Sequence, residues 1–263
     1  MSAELKIMTL NLRVDVASDG EHRFLNRRET VLACIEKHSP DIIGFQEATN
    51  PMRSYLREEL AHRGYITVGC GRDANMRGES VIVAYKHENM ELFSLENRWV
   101  SDTPLIPGTR FDGDQSCFPR IHTALVLKHK ESDSPFLFIN THLDHEGANA
   151  RKRGAAVIKK RISEIGLPFI LTGDMNALPD SEAIRAFTAD SLCGAEVTDA
   201  TRLCGGTFHD FGRLADPIKI DYIFTNMPCD EKRTYAVDEY DRGGFFISDH
   251  LPLCAFISLP QQN

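Results

Sequence analysis

Phe169-Ile170-Leu171-Thr172-Gly173-Asp174-Met175-Asn176 is an apolar run that ends in an acid and an amide two positions apart. On a strand, residues i and i+2 face the same side, so Asp174 and Asn176 would bring a carboxylate and a carboxamide to one place at a strand end. Two other apolar runs finish the same way. Ile42-Ile43-Gly44-Phe45 leads into Gln46-Glu47, and Phe136-Leu137-Phe138-Ile139 leads into Asn140-Thr141-His142-Leu143-Asp144. Near the C-terminus, Ser248-Asp249-His250 precedes a further apolar strand. Polar groups that repeatedly close buried strands predict one shared site.

The chain is long enough to bury a large core around such a site: 263 residues, 42% hydrophobic and 26% charged. A formal charge of -8 argues against a protein that coats nucleic acid or anionic membrane through bulk electrostatics, although it leaves room for a local basic cleft. The seven cysteines are scattered and show no C-x-x-C spacing, which reads as reduced thiols rather than a disulfide frame or zinc site. Met1 to Lys6 lacks the apolar segment of a signal peptide, and no stretch is long enough to span a bilayer, so the expected location is cytoplasmic, with no membrane partner.

Strand-like and helix-like segments alternate with no long Gly/Ser/Pro linker, which predicts a single domain over 1–263. Leu5 to Leu10 reads as a half-buried strand ending at Asn11. Helices are expected near Arg23 to Lys37, Met52 to His62 and Ala148 to Ile165. Further strands are expected at Ser80 to Tyr85, Glu91 to Val100, Ile121 to Lys128, Ile220 to Thr225 and Leu253 to Leu259. Ser101 to Pro119, rich in Pro, Gly and Asp, reads as a long loop of the kind that serves function. The pattern predicts a layered α/β or α+β fold. Asp41 to Glu47 and Pro168 to Asp174 echo each other as buried strands delivering an acid, which would reflect two similar sheet halves.

Glu47, Asp174, Asp221 and Asp249, the carboxamides of Asn11 and Asn176, and the imidazoles of His142 and His250 all sit at strand ends or beside apolar strands. Hard oxygen donors with few imidazoles or thiolates suit Mg²⁺ or Mn²⁺, which stabilises charge on a phosphoryl oxygen. With no G-x-S-x-G elbow to present a serine, water is the expected attacker.

These segments resemble the endonuclease/exonuclease/phosphatase superfamily. The likeness runs in order from Leu10-Asn11-Leu12-Arg13 through Gly44-Phe45-Gln46-Glu47-Ala48, Asn140-Thr141-His142-Leu143 and Thr172-Gly173-Asp174-Met175-Asn176. It continues in Ile220-Asp221-Tyr222-Ile223-Phe224 and Ser248-Asp249-His250-Leu251-Pro252. It implies a four-layer α/β sandwich with two central mixed β-sheets flanked by helices, the DNase-like fold. It also implies that Glu47, with Asn11 nearby and Asp249 approaching, holds the divalent ion, while Asp174 and Asn176 position water and phosphate. His250, oriented by Asp221, would act on water or the scissile phosphate, and His142 would donate to a phosphoryl oxygen. Within the superfamily the chain resembles small bacterial members related to the carbon catabolite repressor deadenylases. The features are Arg13-Val14-Asp15, Gly78-Glu79, Asp102-Thr103-Pro104 and Thr141-His142-Leu143-Asp144-His145. Arg13 replaces the acid expected two residues after the asparagine in repair nucleases of the exonuclease III type.

Other residues carry weaker signals. Glu79 is read either as the acid of a dyad with His142 or as a strand-edge carboxylate. Arg151 falls four before Ala155 on an apolar stripe and should face inward near His142, where phosphate could use it. Arg28 likewise interrupts the stripe of Phe24, Val31 and Ile35, and an ion pair would explain either arginine. Arg120, closing the long loop, is a phosphate-contact candidate, while Trp99 and Phe111 are read as packing residues before bases or sugars are considered.

The leading expectation is a Mg²⁺-dependent phosphoesterase, 3′-5′ exonuclease-like on RNA or single-stranded nucleic acid. The alternative enzyme is a phosphatase or phosphodiesterase on small soluble sugar or nucleotide phosphates, and the alternative outside catalysis is a binding module that keeps the fold. The acidic charge and sparse aromatics predict a compact pocket flanked by the long loop, with Arg120 or Arg151 near the phosphate.

Overall fold

The computed structural model of the chain describes residues 4–132, 134–238 and 246–259. In chain order the strands are β1 (Glu4–Asn11), β2 (Ile42–Ala48), β3 (Tyr65–Gly71), β4 (Ser80–Lys86), β5 (Met90–Trp99) and β6 (Ile121–His129). They continue as β7 (Phe136–His142), β8 (Phe169–Asp174), β9 (Thr198–Asp199), β10 (Asp221–Thr225), β11 (Tyr235–Ala236) and β12 (Leu253–Ser258). The helices are α1 (Phe24–His38), α2 (Asn50–Ala61), α3 (Ala148–Ile165) and α4 (Glu182–Thr188).

Two mixed sheets form, ordered β11-β12-β1-β2-β4-β3 and β5-β6-β7-β8-β10-β9. Each is built around a parallel pair joined through a helix, β1-α1-β2 in one and β7-α3-β8 in the other, with antiparallel neighbours on both sides. The echo between Asp41–Glu47 and Pro168–Asp174 therefore has a structural meaning: β2 and β8 occupy corresponding places in the two sheets. β3 and α4 lie where no element was expected, since glycines and polar residues in β3 blur its alternation and α4 is only seven residues long.

The period-two alternation of the strands sorts side chains into layers. Leu5, Ile7 and Ile42 face Leu125, Phe136, Phe138 and Ile170 between the sheets. The intervening residues Met8, Leu10, Ile43 and Phe45 face α1 and α2, and Leu137, Ile139, Phe169 and Leu171 face α3 and α4. The result is the four-layer α/β sandwich.

Toward the ends of the central strands the inter-sheet layer turns polar. Gln46 Nε2 donates to Asn140 Oδ1 at 2.7 Å and to Thr9 Oγ1 at 3.1 Å, and Thr172 Oγ1 donates to Asn140 Oδ1 at 3.1 Å. Asn140 Nδ2 reaches the carbonyls of Phe45 and Ile82 across the gap. Gly44 permits this approach, because a Cβ there would lie 2.3 Å from Thr172 Oγ1. These hydrogen bonds between buried polar groups favour one registry between the sheets, although Gln46 Oε1 has no partner among the described residues.

His122 on β6 is a buried exception. Among the described residues neither ring nitrogen has a hydrogen-bond partner, and burial pushes its pKa down to about 4. The folded state thus holds a neutral ring while the unfolded chain, near pKa ~6.5, takes up a proton first, so this stability is present above about pH 6.5 and is lost as pH falls toward 4. His122→Phe is expected to gain about 2 kcal/mol on wild type between pH 7.5 and pH 5 in urea unfolding. Parallel stability curves for the two proteins over that range would contradict this account.

Candidate active site

Asn11, His142 and Asp174 lie two residues beyond Thr9, Asn140 and Thr172, so the same alternation that builds the polar layer carries them to its open end. Strand register does the rest. His142 pairs with Asp174 across β7 and β8, and Asp174 pairs with Asp221 across β8 and β10, placing three functional side chains on adjacent strand ends. Glu47 arrives by a different route: the β2–β4 register shifts between Phe45 and Ala48, and Glu47 has a φ of 62°. Positive φ is uncommon for a residue with a Cβ, and this one is held at a cluster of acids.

Asn11 Nδ2 donates to Glu47 Oε1 at 2.9 Å and to Asp174 Oδ2 at 3.0 Å, joining the two sheets. Its amide oxygen accepts the Arg13 N–H at 2.9 Å, so Asn11 orders the two carboxylates. Glu47 Oε2 also accepts the Val14 N–H. The Asn176 N–H donates to Asp174 Oδ1 at 2.8 Å, and Asn176 Nδ2 lies 3.0 Å from His142 Nε2. Asp221 Oδ2 is 2.8 Å from His250 Nδ1. Asp249 Oδ1 lies 3.9 Å from His250 Nε2, and its Oδ2 lies 3.7 Å from Arg13 Nε. Arg13 in turn is held by both oxygens of Asp19, in the turn Ala17–His22.

The two imidazoles are driven apart electrostatically. Burial opposes charge on His250, but Asp221, by its charge and its hydrogen bond, outweighs it with help from Asp249 and Asp174 and raises the pKa to about 10. Burial together with the cations Arg120 and Arg72 pushes His142 well below the usual histidine range. Asp174 is raised to about 7, first by burial and then by Asp221, and burial also raises Asp249. Four buried or half-buried acids in one cluster are short of positive charge, and their donors are hard oxygens, which fits a divalent cation of the Mg²⁺ type. Among the described residues, the tight acid and imidazole groupings are Glu47 with His142 and Asp174, and Asp174 with Asp221 and His250. The second is dominated by the Asp221–His250 ion pair, so the first, on the Glu47 side, is the better cation site. Asp249 belongs to neither grouping and stands nearer Arg13.

A cavity of about 580 Å³ opens over this floor. Arg72, Glu79, Phe118, Arg120 and His145 form one wall, and Leu178, Phe208, Ile218 and Ile220 form the opposite one. Arg120 is where the sequence placed it, lining the cavity at the close of the loop.

Four readings need correction. Glu79 does not pair with His142; Arg72 Nη2 takes it at 2.7 Å, because a guanidinium on the neighbouring hairpin arm is nearer than the ring. Arg151 turns toward the His142 end of α3, but the Asp144 carbonyl captures its Nη1 at 3.0 Å and it is not part of the cavity lining. The arginine buried under α1 is Arg27, whereas Arg28 is half exposed over the Tyr55 ring. Nor is either stripe arginine held by a buried ion pair: Arg28 meets the exposed Glu29 at 3.5 Å, and Arg151 is bound by a backbone carbonyl. Trp99 and Phe111 are both packed in the interior. Arg72, Phe118 and His145 were missed. For Arg72 the only local signal was the flanking Gly71 of β3, a strand itself unread, whereas Phe118 lies in the loop read as functional and His145 closes the Thr141–His145 motif.

Ser101 to Pro119 contains no helix or strand, yet it is tied down. Asp114 accepts the Asn149 and Ala150 N–H groups and so caps α3, and Asp144 accepts Ser116 Oγ at 2.5 Å and the Gly147 N–H at 2.8 Å.

A two-sheet sandwich whose strand ends gather acids, amides and two imidazoles under one cavity is the build of a phosphoesterase. Residues 8–250 match the Endonuclease/Exonuclease/phosphatase family, and the chain belongs to that family. An endonuclease/exonuclease/phosphatase from Bacteroides vulgatus is 29% identical, with a TM-score of 0.88 over 98% of this chain and all of that one. A mannosyl-6-phosphatase from Bacteroides thetaiotaomicron is 27% identical, with a TM-score of 0.81 over 95% of this chain and 98% of that one. An uncharacterised protein of Acanthamoeba polyphaga mimivirus is 26% identical over 95% of this chain and 98% of its own length.

Proposed function

We propose that this protein is a divalent-metal-dependent phosphatase of small phosphorylated molecules, attacking phosphorus with water. The observation that carries this reading is the cavity: about 580 Å³ lies within the size of a small-molecule site, with walls on both sides of the acid cluster. A groove for a polymer would instead present a run of free cations and stacking faces leading away from the centre. The likeness to a mannosyl-6-phosphatase agrees with the small substrate. An exonuclease acting on single strands, as in the deadenylase branch, is the reading that the same chemistry would serve in a longer cleft.

Glu47 and Asp174, ordered by Asn11, would hold Mg²⁺ or Mn²⁺, with Asp249 close by. A bound divalent ion supplies charge stabilisation at the phosphoryl oxygens. Asp174 and Asn176 orient the attacking water. His250, kept protonated by Asp221, donates to a phosphoryl oxygen, and neutral His142, whose Nε2 accepts from Asn176 Nδ2, has its one N–H on Nδ1 to offer another. Water adds to phosphorus as the P–O bond to the alcohol breaks, releasing the alcohol and phosphate. The seven free cysteines support a reducing, cytoplasmic setting.

Chelation should abolish hydrolysis of p-nitrophenyl phosphate, and Mg²⁺ or Mn²⁺ should restore it. Glu47→Gln should raise the metal concentration needed for half-maximal rate by about tenfold or more, with the fold retained by circular dichroism. Full activity of that variant at low Mg²⁺ contradicts the metal assignment. Strongly salt-dependent binding of long RNA, with several phosphates neutralised, would replace the phosphatase by a nuclease.

A further inference from the structure

The geometry points to the Arg72–Glu79–Arg120 wall as a subsite for a polyhydroxylated leaving group, so that the substrate is a sugar-type phosphomonoester. This rests on the phosphatase reading and concerns the part of the substrate that does not react.

Arg120 is buried, and its Nη1 has no acceptor among the described residues. Its other contacts are partial: Nη2 lies 2.7 Å from His145 Nδ1, and Nε lies 3.5 Å from Asp144, whose oxygens are already taken by Ser116, Glu146 and Gly147. A buried N–H with no partner is rare and calls for an acceptor, which a water or a ligand hydroxyl can supply. Arg72, also buried, spends one nitrogen on Glu79, and its guanidinium centre stacks 4.4 Å from the Phe118 ring centroid. The two arginines and Glu79 line the main cavity and, with Glu47 and His142, a recess of about 10 Å³ in it, room for a single water or hydroxyl group.

Charge decides which ligand. Arg72 is balanced by Glu79 and Arg120 by Asp144, so the wall is donor-rich but carries no net formal charge. A second phosphate would meet the Glu79 carboxylate there, whereas hydroxyl groups both accept from the arginines and donate to Glu79. Phe118, well exposed at the rim, adds an apolar face for the C–H side of a ring. On the opposite side Leu178 and Ile218 offer no hydrogen-bonding side chain, so hydroxyl recognition falls to the arginine wall.

Steady-state rates for hexose 6-phosphates and for p-nitrophenyl phosphate, measured with the Mg²⁺-loaded full chain, test the proposal. Wild type should favour at least one hexose phosphate, chiefly through KM. The ratio of kcat/KM for that sugar phosphate to kcat/KM for the aryl phosphate should fall about 20-fold in Glu79→Gln and again in Arg120→Gln. Either variant suffices if the other fails to fold. A wild type that hydrolyses p-nitrophenyl phosphate but prefers no sugar phosphate overturns the subsite and leaves the phosphatase standing. A ratio unchanged in both variants also overturns it, as does a stronger preference for bisphosphorylated compounds. Hydrolysis of no phosphomonoester at all would instead remove the phosphatase reading itself.

Discussion

His250→Ala is expected to lower kcat by about 10³-fold, and Asp221→Asn to lose most of the same factor, with the double variant little worse than His250→Ala alone. The physical ground is the 2.8 Å contact between His250 Nδ1 and Asp221 Oδ2 in a buried setting. Desolvation alone would leave the ring neutral, and it is Asp221 above all that reverses the balance. An asparagine keeps a hydrogen bond but removes the charge, so the ring would lose its imidazolium character as well as part of its orientation. Residues that act as one unit give losses that do not add. Single-turnover rates with p-nitrophenyl phosphate for the two single variants and the double would measure this. Losses that multiply in the double variant would show that Asp221 acts apart from His250.

Arg27→Met should cost about 3–5 kcal/mol of folding stability, the largest change expected from a residue that never meets substrate. Arg27 is fully buried, and among the described residues its guanidinium faces no carboxylate within hydrogen-bond reach; it donates instead to four backbone carbonyls. Those carbonyls belong to His22, Leu12, Arg13 and Ile247. One residue of α1 therefore clamps both the segment after Asn11 and the segment before Asp249 and His250. Burial lowers its pKa to about 10, which still leaves it charged at neutral pH. Methionine fills much of the volume but leaves the four oxygens without their donors, and such orphaned groups carry the desolvation penalty that makes the change severe. Urea unfolding at pH 7.5 reads the loss, and kcat should fall with it as the two loops separate. A variant as stable as wild type would mean the carbonyls find other donors.

Legibility in the sequence followed the range of the interactions involved. Helices α1, α2 and α3 and most central strands were readable because their apolar periods, 3.6 or 2, are properties of the chain itself. The ends at Asn11, His142 and Asp174 could be read for the same reason: each closes an apolar run of its own. The echo between β2 and β8 showed that two half-sheets correspond, without showing that they face each other.

Glu79, Arg151 and the Arg27–Arg28 choice went differently because each depends on which partner lies nearest in space. A lone polar side chain next to an apolar stripe has several possible partners, and nothing local ranks them. Glu79 met Arg72 through the β3–β4 hairpin, Arg151 met a carbonyl, and the buried position under α1 belonged to the neighbour of the residue the stripe suggested.

The sequence by itself determined the strand ends, their acids and imidazoles, and the family likeness that orders them, because alternation within a strand assigns each side chain to a face. Only the tertiary structure decided which of those ends converge. Convergence depends on strand register, on the Gly44 contact that lets the sheets close, and on the positive-φ turn that swings Glu47 toward Asp174. The donor-rich wall opposite Leu178 and Ile218 was likewise settled there, since Arg72 and Arg120 are 48 positions apart in the chain and meet only through the packing of one sheet on the other.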